Sequence, residues 1–248
     1  MKNQYGIQMY SIRDLANESL ESALIAVAQM GYTYVEFAGF FGNSAEDVKR
    51  MLDSNGLKVC STHTGWQELK PDVLMETIAY HKTIGNTNII IPGFNKTDEQ
   101  FDEMIGVINY AYPILKENGI ALGYHNHSYE FVPTKTGRCF HRELEEKTNV
   151  EFQLDTFWVF NANLDPVSEM DRLKNRMRSI HLKDGICAGD RLESSAIGKS
   201  VGLGLAPIGK IIEKAEELGL VMIVESEGLD PTGKEEVERC IKYLKENG

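Results

Sequence analysis

Along the chain, an amphipathic stretch, a glycine and a short β-rich run recur as one unit. The junctions read MGYTYVEF (30–37), NGLKVCS (55–61), IGNTNIII (84–91), NGIALGYH (118–125) and LGLVMIVE (218–225). Glycine suits the left-handed position just past a helix C-terminus, where a Cβ is costly. The β-branched and apolar residues that follow suit a strand buried on both faces. TNVEFQLD (148–155) and RMRSIHLK (176–183) keep the pattern without the glycine, and the opening YGIQMY (5–10) brings the count to eight strands.

Helical spacing fills the intervals. Leu20, Ala23, Leu24, Val27 and Ala28 follow the i, i+3, i+4, i+7, i+8 stripe of a helix with one buried face. Thr97 with Gln100 and Thr232 with Glu235 have capping-box spacing, while Pro166 and Pro207 suit first helical positions. His81 and His141 fall in predicted helices and are expected at the surface. Strands alternating with helices fit a closed barrel or an open doubly wound sheet, but no GxGxxG follows the first strand. The expected fold is therefore α/β, a single (β/α)8 TIM barrel spanning residues 1–248.

Composition narrows the partners. A net charge of −11 disfavours nucleic acid, whose affinity rests on neutralising phosphates with Lys and Arg. The start, MKNQYGIQMYS, lacks the apolar run of a signal peptide, and no stretch approaches the ~20 residues of a membrane span. A cytoplasmic protein without membrane association is expected. Cys60, Cys139, Cys187 and Cys240 are scattered, form no CxxC pair, and read as reduced core or surface thiols.

In an α/β barrel the active site lies at the C-terminal ends of the strands. Those ends carry Glu36 in VEFAGF, His63 in STHTG, and His125, His127 and Glu130 in GYHNHSYEF. They also carry Asp155 in FQLDTFW, His181 and Lys183 in SIHLKDG, and Glu225 in IVESEG, while the strand interiors read as mostly apolar. Any one of these alone reads as a satisfied structural residue. As a set, Glu130, Asp155, His181 and Glu225 come from strands 5 to 8 and must be neighbours. Burying several carboxylates together without a cation incurs desolvation and repulsion. Three carboxylates and one imidazole can hold one divalent cation with positions left open for an oxygen-rich small molecule.

The order Y-H-N-H-x-x-E-F, L-D-x-x-W, H-x-K-D, G-x-G-x-x-P before a helix, and a strand ending in Glu resembles the sugar phosphate isomerase/epimerase family. That family has the xylose isomerase-like barrel and is related to inosose dehydratases and ketose 3-epimerases. The resemblance covers nearly the whole chain. It implies one divalent metal, Mn²⁺ first with Co²⁺, Zn²⁺ or Mg²⁺ as alternatives, bound by two Glu, one Asp and one His. These carry over to Glu130, Asp155, His181 and Glu225. In ketose 3-epimerases the first Glu ends strand 5, where this chain has His125, so His125 or His127 is an alternative ligand or a substrate contact.

The implied reaction is proton removal next to a carbonyl through an enediolate, giving a sugar isomerase or epimerase. Glu130 and Glu225 are the acid/base candidates. Lys183 would steady the enediolate oxygen or a substrate carboxylate, or else face solvent. Glu36 and His63 read as substrate hydroxyl contacts, and Trp158 as a wall against a sugar face or a core residue. Gly202 and Gly204 offer amides to an anionic group, with a plain loop turn as the alternative. The partner is a small sugar or polyol, and a homo-oligomer is compatible with the sequence.

Loss of a β-leaving group would instead make the protein a lyase or dehydratase on a keto-inositol or 3-keto-glycoside. An endonuclease IV-like DNA-repair hydrolase shares the barrel but implies a His-rich trinuclear zinc site. Here Trp158 stands where that family carries a ligand His, and Asp190-Arg191 is followed by Leu192 rather than His. One metal is expected, not three. A non-catalytic sugar-binding module is a third class, against which the two Glu candidates argue.

Overall fold

Each junction becomes a helix, a turn and a strand that pairs in parallel with its neighbour. The computed structural model describes residues 5–93, 97–187 and 196–247. Its barrel strands are β1 (Gly6–Gln8), β2 (Tyr34–Ala38), β3 (Lys58–His63), β4 (Asn88–Ile91), β5 (Ala121–His125), β6 (Glu151–Asp155) and β7 (Met177–Cys187). A hairpin partner, β8 (Ala196–Lys199), precedes the last barrel strand, β9 (Val221–Glu225). Parallel pairing runs from β1 to β7 in order, β7 pairs β9, and β9 pairs β1, so the sheet closes as an eight-stranded ring. The eight expected strands are those eight.

The flanking helices are α1 (Arg13–Glu18), α2 (Leu20–Met30), α3 (Ala45–Ser54), α4 (Leu74–Thr83), α5 (Asp98–Glu117), α6 (Phe140–Lys147), α7 (Thr156–Asn161), α8 (Pro166–Leu173), α9 (Ile208–Glu217) and α10 (Gly233–Asn247). Thr97 and Gln100 form a reciprocal capping box on α5, and Thr232 Oγ accepts from Glu235 N. Pro166 opens α8, whereas Pro207 sits one residue before α9 as its N-cap. No described helix is long and apolar enough to cross a membrane.

One feature lay beyond the repeat. β7 runs past the barrel, and Asp184–Cys187 pairs antiparallel with Ala196–Lys199. Asp190 and Arg191 lie outside the described residues.

Side-chain alternation sorts the two faces of the strands. Val35, Phe37, Leu122, Leu154, Ile180, Leu182 and Val224 belong to the buried apolar core. The other face is less apolar than expected, because Gln8, Glu36, Ser61, Gln153 and Ser179 are all buried and joined by hydrogen bonds. Glycine keeps the barrel narrow at one point: a Cβ on Gly123 would fall 2.6 Å from Ile90 Cδ1.

His81 and His141 are buried, contrary to the surface expectation. His81 on α4 faces β3, with its ring nitrogens 3.3 Å from Thr62 Oγ1, 3.4 Å from Thr64 Oγ1 and 3.0 Å from Asn86 Nδ2. His141 lies between Phe131 and Phe152, with ring centroids 4.4 and 4.8 Å away. Each imidazole occupies an inward helix position that an apolar residue would usually fill.

Candidate active site

Strand register gathers the site. Asp155 pairs with His181 across β6 and β7, and Lys183 pairs with Glu225 across β7 and β9. The ligand atoms of His125, Asp155, His181 and Glu225 lie within 4.8 Å of one another, and all four residues are buried. His63, His125 and His181 form an overlapping group within the same limit.

Asp155 is tied down through one carboxylate oxygen only. It caps α7, with Oδ1 accepting from the amides of Phe157 and Trp158, each at 3.0 Å. Oδ2 is left buried with no hydrogen-bond partner among the described residues. Lys183 Nζ lies 3.9 Å and His125 Nε2 4.0 Å from it. Burial pushes the Asp155 carboxyl up, against the pull of Lys183.

His181 is oriented from behind. Its Nε2 lies 2.5 Å from Glu36 Oε1, while Nδ1 points toward Glu225 Oε2 at 3.3 Å and has no well-aligned hydrogen-bond partner among the described residues. Glu36 is itself held by Gln8 Nε2 at 2.7 Å, Gln153 Nε2 at 2.6 Å and the Ser61 hydroxyl. Burial alone would raise the Glu36 carboxyl, but His63 and His181 outweigh it and hold it down to about 2. Burial opposes charge on His181 too, yet Glu36 and Glu225 raise it to about 10. Both Glu36 oxygens are taken, Oε1 by Gln8 and His181 and Oε2 by Ser61 and Gln153, so it supports His181 instead of meeting a substrate hydroxyl.

His125 is also buried, and its Nδ1 has no partner among the described residues. Burial first, then His181 and His63, push its pKa well below the usual imidazole range, leaving a neutral ring. Buried polar atoms without partners need an explanation. Asp155 Oδ2 and His181 Nδ1 belong to the group that also includes His125, whose Nε2 lies 4.0 Å from Asp155 Oδ2, and nitrogen and carboxylate donors gathered in this way could hold a divalent cation.

Glu130 is not brought to this group. One carboxylate oxygen accepts from Tyr124 Oη at 2.6 Å and the other from His127 N at 2.9 Å. It closes the short turn Tyr129–Phe131 back onto the end of β5, and His125 stands where the resemblance placed Glu130. His127 is half-buried, its ring 5.4 Å from His125 and 5.3 Å from Trp158. His63 stacks on His181 with ring centroids 5.1 Å apart, and its Nε2 lies 2.9 Å from Gln153 Oε1.

Lys183 is fully buried, not solvent-facing. Its ammonium lies 3.1 Å from Glu225 Oε2, 2.8 Å from Glu227 Oε2 and 4.5 Å from the Trp158 ring centre. Burial works against the charge, but Glu225 and then Glu227 hold its pKa above the usual lysine value. Glu227 escaped the sequence reading. It lies two residues past the end of β9, where strand alternation gives no signal for its direction. Trp158 is buried beneath this cation as part of the wall.

The amides of Gly202 and Gly204 find an internal anion. They donate to Asp184 Oδ2 at 3.0 and 2.9 Å, and the amides of Gly185 and Ala206 donate to Oδ1 at 2.8 and 3.1 Å. The glycine loop is thus a structural clasp on the end of β7.

The sequence matches the family model of the xylose isomerase-like TIM barrel over residues 24–247. A sugar phosphate isomerase/epimerase from Parabacteroides distasonis superposes with a TM-score of 0.81 at 25% identity, covering 97% of each chain. A second structure of that description and organism gives 0.76 at 26% identity, covering 98% of this chain and 93% of the other. An inosose dehydratase from Mesomycoplasma hyopneumoniae is 25% identical over 187 residues, 67% of this chain. The match spans 62% of that relative's length.

Proposed function

This chain belongs to the xylose isomerase-like TIM barrel family, and on that premise we propose that it is a divalent-metal-dependent isomerase or epimerase of a sugar, sugar phosphate or keto-polyol. The observation that carries the reading is the buried convergence of His125, Asp155, His181 and Glu225 beside the buried ammonium of Lys183. Asp155 through Oδ2, His181 through Nδ1, His125 and Glu225 would hold the ion. When bound, the cation supplies Lewis-acid stabilisation of the negative charge that develops on a carbonyl oxygen as an α-proton leaves.

The remaining roles fall to the chain's own groups. An ammonium has three N–H donors, and two of those on Lys183 are engaged by Glu225 and Glu227. The third is available to the enediolate oxygen or to a substrate carboxylate. Glu225 at the strand end is the group to move the proton, with Glu227 the mouth-side carboxylate on the same lysine. Trp158 and His127 form a wall that orients the substrate and excludes water from one side. Proton return to the neighbouring carbon isomerises, and return to the opposite face epimerises.

A second reading, β-elimination by a lyase or dehydratase, is favoured by the similarity to inosose dehydratase. It shares the enolising step and differs only in the group that leaves next. Incubating metal-loaded protein with keto-sugars, keto-inositols and 3-keto-glycosides in D₂O separates the two. Solvent deuterium at an α-carbon with retained composition supports the isomerase or epimerase, and loss of water or an alcohol supports the lyase. Absence of both exchange and elimination across the panel, with metal bound, would sink both.

A further inference from the structure

Given the metal-dependent reading proposed above, we infer that the centre is built from two imidazoles and two carboxylates. On that basis it selects an imidazole-preferring ion such as Zn²⁺, Co²⁺ or Fe²⁺ over Mn²⁺ and Mg²⁺. This departs from the set of two Glu, one Asp and one His, and from the Mn²⁺ expected with it.

Two placements on β5 and its turn carry the departure. The first is Glu130, whose two oxygens are occupied by Tyr124 Oη and His127 N. Gly93 presses on the same turn: a Cβ there would lie 2.8 Å from His125 O, 2.9 Å from Glu130 Oε1 and 3.1 Å from His127 N. The turn is therefore packed from behind by β4's exit and tied from within by Glu130, which acts as a brace.

The second is His125, the residue that ends β5 inside the barrel mouth. It is 1% exposed and lies among His63 and His181, with ring centroids 4.7 and 4.5 Å away. A buried carboxylate oxygen without a partner is unfavourable unless something uses it. Asp155 Oδ2 is such an atom among the described residues, His125 Nε2 lies 4.0 Å from it, and both residues belong to one four-member group.

Ligand chemistry then sets the preference. Carboxylate and water suit Mg²⁺ and Mn²⁺, whereas imidazole suits Zn²⁺, Fe²⁺ and Ni²⁺, and affinity rises along the series from Mn²⁺ through Fe²⁺ and Co²⁺. Exchanging one carboxylate for a neutral imidazole removes a negative charge from the donor set. Lys183, 3.1 Å from Glu225 Oε2, offsets part of what remains. Both effects weaken the electrostatic binding on which hard ions depend, and neither weakens a nitrogen donor.

The test is equilibrium dialysis of chelator-stripped protein against Zn²⁺, Co²⁺, Mn²⁺ and Mg²⁺, alone and in pairs, with bound metal counted by mass spectrometry. Wild type should favour Zn²⁺ or Co²⁺ over Mn²⁺, and His125→Glu should shrink that ratio by about tenfold or more, at least what loss of an outer-sphere partner costs. Glu130→Gln should leave the ratio in place. An unchanged ratio in His125→Glu, or a collapse in Glu130→Gln, overturns the inference. X-ray absorption on Co²⁺- or Zn²⁺-loaded wild type needs no variant: two imidazoles bound to the ion support it, and a single imidazole refutes it. Two imidazoles without α-proton exchange on any substrate would defeat the proposed reaction and leave this inference standing.

Discussion

Glu36 Oε1 sits 2.5 Å from His181 Nε2, and this contact decides which nitrogen of the imidazole looks into the barrel mouth. With Nε2 engaged, Nδ1 is left facing Glu225 Oε2 at 3.3 Å. Carboxylate–histidine pairs of this kind fix the tautomer and raise the basicity of a ligating ring. Glu36 can do so because Gln8, Ser61 and Gln153 donate to it from three other strands. The polar layer beneath the mouth is thus a mount for the imidazole of His181.

Glu36→Gln preserves shape and an acceptor for His181 but removes the charge. Metal affinity should fall by about 10–100-fold, the usual effect of losing an outer-sphere partner. Glu36→Ala should fall further and unfold at lower temperature, because each buried donor left unpaired costs about 1–3 kcal/mol. Dialysis against Zn²⁺ and Mn²⁺, paired with thermal melts, checks both. Native affinity in the two variants would remove Glu36 from the site.

The strand–helix repeat was legible because each unit ends in the same chemistry: a glycine where the helix stops, then a doubly buried apolar run. The convergence of Asp155, His181 and Glu225 was legible because a strand end in a barrel has one destination. Glu130 was not, since its direction depends on a three-residue turn and on a tyrosine hydroxyl six positions away in sequence. Glu36 misled because strand-end position does not report depth, and its depth follows from the stagger of β1, β2 and β3. His81 and His141 look like surface residues in sequence, since polarity hides the packing of an imidazole between rings.

Lys183 is expected to carry much of the charge stabilisation. Lys183→Met fills similar space and removes the ammonium from Asp155, Glu225 and Glu227. The α-proton exchange rate should drop by about 10²–10³, the loss typical of one oxyanion donor. Metal affinity should hold or rise, because the competing cation is gone. Exchange measured by NMR in D₂O, beside metal content on the same sample, separates these effects; retained exchange would assign Lys183 to structure alone.

Acid should destabilise the fold through the two misread histidines. Burial lowers His81 to about 4, and burial followed by Arg172 and Arg176 lowers His141 to about 3. Both are neutral when folded and gain protons more readily when unfolded, near pH 6.5. Their stabilising effect is complete above about pH 6.5 and is lost progressively toward pH 3–4, by up to about 1.4 kcal/mol per pH unit for each residue. His141→Phe should flatten part of this slope, since the ring already lies between Phe131 and Phe152. Urea midpoints from pH 7 to pH 4 test it, and parallel slopes for variant and wild type would contradict it.

The clasp at the end of β7 makes Gly204 intolerant of any side chain. A Cβ there would sit 2.1 Å from Asp184 Oδ1 and 2.4 Å from Gly185 N, so Gly204→Ala must push the loop away from Asp184. Asp184 would then lose amide donors while remaining buried, and Lys183 is its neighbour in the strand. Overpacking of this kind costs about 1–3 kcal/mol, which for a protein of this length corresponds to roughly 2–12 °C in Tm. Asp184→Asn tests the same clasp without added bulk: one of its two carboxylate acceptors becomes an NH₂ facing amide N–H groups. Both variants should melt earlier and lose turnover together, because loop and Lys183 move as one. A Gly204→Ala protein with wild-type Tm and turnover would show that residues 202–206 are not fastened to β7 through Asp184.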